Sequence, residues 1–230
     1  MVSIGEVLNL GVLPERVGLY FASMQLLVDA YNRSQGETAE LLHRQLTHRH
    51  SQMGKTVAEV EQTEALLQRL GIQLAPRPQM PAECVAWQQK IYLVVQGALA
   101  TNQPALATYH LLGQLCGQAW LTLQLGGLVL SLRCEMPKDE PLKTHAAALA
   151  AEQQRLYGVL MRIAEHPQWS APLAERLMDL RAAFGQVPLV AADPAERSET
   201  EDAVSARLID LLTAMDTFAD RLSALESALG

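Results

Sequence analysis

Apolar residues recur along this chain at steps of three and four, the spacing that places them on one face of an α-helix. The most regular series lies at the end of the chain, where the steps alternate between four and three. This heptad seam consists of Val204, Leu208, Leu211, Met215, Phe218, Leu222, Leu225 and Leu229. It predicts a long amphipathic helix suited to association, and Ser198 with Glu201 forms an S-x-x-E capping box at its start.

Proline and glycine divide the rest of the chain into further helices. Pro14 suits the first turn of a helix that ends near Ser34, and a second, long helix is expected from Glu37 to Leu70, with Gly71 ending it. The apolar seam of that second helix is Leu42, Leu46, His50, Met53, Val57, Val60, Glu64 and Leu67. Later helices are expected at 82–100, 105–125, 142–165 and 171–185. Gly126-Gly127 is a candidate kink or end.

These helices predict an all-α fold, an antiparallel helical bundle of about seven helices with a C-terminal heptad helix. Residues 1–185 form the predicted bundle core, and residues 186–197, with Pro188 and Pro194, read as a linker. Residues 198–230 form an acidic heptad helix that packs either on the bundle or on a partner chain.

Charge is unevenly distributed. The chain has 25 acidic and 18 basic residues, a net charge of -7, and only 19% of its residues are charged. No Asp, Glu, Lys or Arg occurs at 91–132. Residues 111–132 are long enough to span a bilayer, but Gln114, Gln118 and Gln124 are costly in lipid, so the pattern favours a buried helix over membrane contact. Gly113 and Gly117 form a GxxxG that indicates close helix approach, within the bundle or across a dimer.

The acidic balance disfavours a protein that binds nucleic acid through many phosphate contacts. Three cysteines without a CxxC disfavour a disulfide framework or a structural zinc site. Together with an N-terminus unlike a signal peptide, they predict a cytoplasmic protein. The sequence has no GxSxG, P-loop, GxGxxG or HExxH motif, so no catalytic residue is predicted.

Two local sequence patterns indicate candidate binding sites. Glu40 and His43 form an ExxH, which places a carboxylate and an imidazole on one helix face where both reach one metal ion. His43, Arg44, His48, Arg49, His50 and Lys55 form a basic, histidine-rich patch. A solvated helix face, a pH-sensitive contact and an anion- or partner-binding surface all fit this patch.

Residues 20–27, 61–71, 102–105 and 151–156 resemble the helices of ferritin-like stress proteins of the YciE/YciF type. The resemblance covers about 14–166, and it implies a metal-dependent oxidase that would use iron or manganese at Glu40, His43 and Glu152. The chain departs from that pattern, with Ser23 where a glutamate is common and Arg155 where a second histidine is expected. The charge-free run supplies no carboxylate, so the resemblance implies a bundle that has lost its metal centre.

The function expected from the sequence is therefore non-enzymatic and without a cofactor, acting through protein association, as a homo-oligomer or with another protein. The alternatives are a ferritin-like metal-binding oxidase, and binding of an acidic partner or nucleic acid through the patch at 43–55.

Overall fold

The computed structural model describes residues 2–73, 77–166, 169–186, 189 and 201–229, and every regular element among them is an α-helix. Eight helices follow one another: α1 (Ile4–Arg33), α2 (Gly36–Ser51), α3 (Met53–Arg69), α4 (Pro81–Asn102), α5 (Pro104–Glu135), α6 (Glu140–Ala164), α7 (Ala171–Gly185) and α8 (Glu201–Leu229). The predicted all-α helical bundle is confirmed. Ser198 and most of the predicted linker lie outside the described residues.

The chain forms two compact units, and the division falls inside α5. Unit 1 runs to Leu121, and unit 2 runs from Thr122 to Ala228. In unit 1, α1 contacts α2, α3 and α4. Its main core combines Val7, Leu10, Leu13, Val17, Val60, Leu66, Leu67, Ile72, Cys84, Trp87, Ile91, Val95, Leu99 and Ala107.

The first helix begins at Ile4, so the predicted start at Pro14 was wrong. Ser3 Oγ accepts a hydrogen bond from the Glu6 amide, and Glu6 Oε2 accepts one from the Ser3 amide, which makes a complete capping box. Pro14 therefore lies inside the helix. The S-x-x-E motif at residues 3–6 predicts the observed start of α1. It determines that start more strongly than the preference of proline for the first turn of a helix.

The predicted helix from 37 to 70 is two helices, because Gln52 interrupts it. Gln52 has φ -84° and ψ 0°, far from the ψ of a regular α-helix, and it ends α2 and begins α3. The break changes which face of α3 is buried: Thr56, Val60, Thr63, Leu66 and Leu67 face inward. His50, Met53 and Val57 of the predicted seam are exposed, which corrects that part of the prediction. Gly71, with φ +73°, follows the last turn as predicted.

Glycine brings α1 and α5 into direct backbone contact within unit 1. A Cβ built on Gly113 would lie 2.8 Å from the carbonyl carbon of Leu8, and one on Gly11 would lie 2.5 Å from the Gln114 nitrogen. A Cβ on Gly117 would lie 3.0 Å from Glu15 Cγ. The GxxxG therefore marks helix approach within the bundle. Gly126-Gly127 does not end the helix, which continues to Glu135.

Unit 2 contains the end of α5 with α6, α7 and α8. Helix α6 contacts α7, and the buried Gln153 of α6 donates from Nε2 to the Phe184 carbonyl at 3.0 Å. The rings of Phe184 and Phe218, on α7 and α8, have centroids 5.8 Å apart. Arg176 Nη1 donates to the Ala224 carbonyl at 3.4 Å. These contacts attach α8 to the rest of unit 2 in the same chain.

Candidate functional site

The residues predicted to bind metal do not gather into a ligand set in the described part of the chain. Glu40 and His43 are exposed on α2, where the His43 ring lies 6.3 Å from the Tyr31 ring. Glu152, on α6 in unit 2, accepts hydrogen bonds from Arg155 Nε at 2.7 Å and Nη2 at 2.6 Å. Those bonds lower the pKa of Glu152. Among the described residues, no group of three or more His, Cys, Asp and Glu is placed to hold a metal ion.

The predicted basic patch lies on α2 and the start of α3. We call it the basic surface, made of His43, Arg44, His48, Arg49, His50 and Lys55. All six side chains are exposed except that of Arg49, which is half-buried. No acidic residue occurs between Glu40 and Glu59. Arg49 lies in the last turn of α2, where its positive charge interacts favourably with the carbonyl end of the helix.

Large apolar side chains are exposed beside these charges. Met53 is 46% exposed and Val57 is 41% exposed, because the break at Gln52 turns them out of the core. Tyr31, which contacts His43, is 40% exposed. Exposed apolar side chains rimmed by polar groups occur at docking sites, so this surface is a candidate for one.

A cavity of about 60 Å³ lies beneath part of the basic surface. Its lining combines Arg16, Leu19 and Tyr20 of α1, Arg49 of α2, Gln52, Lys55, Thr56 and Glu59 of the junction and α3, and Trp120 of α5. Arg49 Nη1 donates to Gln52 Oε1 at 3.1 Å. Burial lowers the pKa of Arg49 and raises that of Glu59, and the charges of Lys55 and Arg16 partly oppose the shift of Glu59.

A second polar group, which the sequence did not predict, is buried in unit 1. Glu15 of α1 is 5% exposed, and its Oε1 accepts a 2.7 Å hydrogen bond from the Tyr92 hydroxyl. Gln88 Nε2 donates to Glu15 Oε2 at 3.2 Å and to the Pro14 carbonyl at 2.8 Å. Burial, reinforced by the charge of Glu15, raises the pKa of Tyr92 well above its ordinary value and that of Cys84 to about 12. The thiol and the phenol therefore stay protonated at neutral pH, which disfavours nucleophilic chemistry here.

His110 of α5 extends this polar group. Its Nδ1 lies 3.2 Å from Gln96 Oε1, which can only accept, so Nδ1 carries the proton. Its Nε2 is buried without a hydrogen-bond partner, and burial lowers the pKa of His110 to about 4. Gln88, Tyr92 and Gln96 are spaced by four on α4. The sequence shows this spacing of polar residues, but apolar periodicity alone does not reveal it.

The heptad seam of α8 is largely used inside unit 2. Val204, Leu211, Phe218, Leu222 and Leu225 are buried, and Leu208, Met215 and Leu229 are half-buried. The opposite side of the helix carries what we call the acidic face, made of Asp202, Ile209, Leu212, Asp216 and Asp220, all exposed. Ile209 is 66% exposed and Leu212 is 49% exposed. Like the basic surface, this face combines charge of one sign with large apolar side chains.

In the described ranges one helix, α5, is long and apolar enough to cross a membrane by length and composition. Of its most apolar window, 61% is buried within the chain, and core helices of soluble proteins meet the same criterion. No protein-family model, curated protein or solved structure matches the chain.

Proposed function

We propose that this protein is non-enzymatic and acts by self-association, with the basic surface of one copy contacting the acidic face of α8 on a second copy. The observation that carries the proposal is that, among the described residues, both surfaces are exposed although each contains large apolar side chains. Burial of Met53, Val57, Ile209 and Leu212 on association would supply the hydrophobic part of the binding energy.

Charge complementarity supports this choice of partner. The chain carries a net charge of -7, so two copies repel one another unless regions of opposite sign meet. The basic surface is a segment without acids, whereas α8 carries six acids against two bases, Arg207 and Arg221, neither of which belongs to the acidic face. Opposed patches of this kind orient an encounter and raise the rate of association.

The proposal differs from the sequence expectation in the part of α8 that associates. The heptad seam was predicted to be the association surface, but its side chains pack within unit 2. Its exposure to a partner would require α8 to leave unit 2, which would expose Phe218 and Leu222. The outer face associates without that cost.

A complementation experiment tests the proposal. Contact between two different patches is heterologous, so a copy that lacks one patch still offers the other, and wild-type copies form dimers that extend to longer oligomers unless the contact closes. We expect Arg44→Glu and Asp216→Arg each to weaken the dimer measured by sedimentation velocity, by about tenfold in Kd. An equimolar mixture should restore a dimer, because an intact acidic face then meets an intact basic surface.

The matched control is Lys90→Glu, which makes the same charge change on α4 outside both surfaces and should leave the dimer unchanged. Added salt should weaken the wild-type dimer. A wild-type monomer at about 100 µM in low salt, where weak dimers assemble, would refute self-association. Failure of the mixture to restore the dimer would refute contact between these two surfaces.

Two predictions from the sequence remain as alternatives. Binding of an acidic protein or of nucleic acid would use the same basic surface, and Arg44→Glu would then weaken that binding in a salt-dependent manner. A ferritin-like metal-dependent oxidase would use Glu40, His43 and Glu152 with iron or manganese. Metal analysis of the purified protein tests it, since a stoichiometric metal lost in His43→Ala would support it and refute the non-enzymatic proposal.

A further inference from the structure

The cavity at the α2–α3 junction has an excess of positive charge. Arg16, Arg49 and Lys55 line it together with one carboxylate, that of Glu59, so the lining carries three positive charges against one negative. A small space with this charge balance favours an anion over a cation.

Arg49 gives the strongest reason to expect a ligand. Its guanidinium is half-buried, and its hydrogen bond goes to the neutral Gln52 amide oxygen at 3.1 Å. The lowered pKa of Arg49 has burial as its cause. A guanidinium that is partly removed from water and has no carboxylate partner among the described residues costs free energy, and an anion in the adjacent cavity would offset that cost.

The volume and the hydrogen-bonding groups narrow the class of anion. A cavity of about 60 Å³ has room for about four water-sized positions, which is close to the size of a tetrahedral oxyanion. Arg49 offers a planar pair of donors suited to two oxygens of one anion, and Lys55 offers a point charge.

We infer that this cavity binds a phosphate group, held by Arg49, Lys55 and Arg16. The net lining charge of two positive units matches a phosphate dianion better than a carboxylate. Free inorganic phosphate and the phosphate of a phosphoserine share this chemistry, and titration with each of them distinguishes the two sources. The inference uses two residues of the basic surface but does not depend on self-association.

The test is calorimetric titration of the full chain at constant ionic strength, with inorganic phosphate, phosphoserine and acetate as probes. We expect one saturable site for phosphate, with acetate weaker by about tenfold or more, because it brings one charge fewer and fewer acceptor oxygens. Stronger binding of phosphoserine would identify a phosphorylated side chain as the source, and stronger binding of inorganic phosphate would identify the free ion.

Arg49→Gln and Lys55→Gln should each weaken the Kd for phosphate by about tenfold or more, since each removes a charged hydrogen-bond donor. Lys55 is exposed, so its variant is not expected to disturb folding. Arg44→Gln is the matched control, because Arg44 lies on the basic surface but does not line the cavity. Absence of saturable phosphate binding would overturn the inference, as would equal weakening by Arg44→Gln and Lys55→Gln. A wild-type chain that binds phosphate but does not self-associate would refute only the proposed function.

Discussion

The contact between α1 and α5 predicts a large effect for one added methyl group. In Gly113→Ala the new Cβ would lie 2.8 Å from the carbonyl carbon of Leu8 and 3.1 Å from its Cα. Carbon atoms in favourable contact are about 3.5–4.0 Å apart. The neighbouring atoms belong to the α1 backbone, so no side-chain rotation relieves the overlap. The two helices would have to separate.

Gly97→Ala is the matched control for this substitution. Gly97 lies on α4, and a Cβ built there meets no atom within 4 Å. Both substitutions gain the same helix propensity, about 1 kcal/mol from glycine to alanine. That gain cancels when the two variants are compared, and the difference is the cost of overpacking, about 1–3 kcal/mol. We expect the upper end of that range for Gly113→Ala, because the obstructing atoms are backbone.

Urea denaturation followed by far-ultraviolet circular dichroism measures this difference. Gly97→Ala should raise the urea midpoint above that of the wild type, and Gly113→Ala should lower it. Equal midpoints for the two variants would mean that α1 and α5 do not touch at Gly113, and the packing of unit 1 derived from that contact would be wrong.

Two further substitutions test the buried groups. The pKa of His110 is about 4 in the folded chain, against 6.5 in the unfolded chain. Between pH 6.5 and pH 4 this imidazole is therefore protonated in the unfolded chain and neutral in the folded chain. The unfolding free energy should therefore fall by about 3 kcal/mol across that window through this group, and chemical denaturation of His110→Gln should lack that part of the loss. In unit 2, Phe218→Ala should lower the unfolding free energy by about 3–5 kcal/mol, because its ring is fully buried against Phe184. Leu212→Ala on the exposed side of α8 should change it by less than about 0.5 kcal/mol in the same denaturation assay.

The sequence predicted the elements whose ends carry local signals. Gly71 takes the left-handed conformation that ends α3, and Gly185 is the last residue of α7. The heptad seam identified the buried side of α8, because its eight apolar positions, at alternating steps of four and three, all fall on one side of a helix. It could not identify the partner of that side, since a seam against α7 and a seam against another chain have the same pattern.

The break at Gln52 has no comparable signal, because glutamine is a good helix former and the apolar spacing continues through it. The heptad pattern therefore extended across two helices, and Met53 and Val57 were assigned to a core in which they do not lie. The basic surface could be predicted from the sequence, because its His, Arg and Lys residues lie close together between positions 43 and 55. The cavity beneath it depends on Arg16 and Trp120, which are distant in sequence and come together only in the fold.

The buried Glu15 and the buried apolar residues of α4 use the same side of that helix. A carboxylate removed from water costs several kcal/mol unless donors satisfy it, and α4 supplies them from Gln88 and Tyr92. These polar residues occupy part of the inward side of α4. Leu93 lies about half a turn away from Ile91 and Val95 in an α-helix and is 75% exposed. A rotation of α4 that buried Leu93 would gain about 1.5–3 kcal/mol, but it would expose Ile91 and Val95 and would remove the donors to Glu15. The charge-free segment is therefore not uniformly core, because α4 has one inward side, which its buried apolar residues share with the donors to the carboxylate on α1.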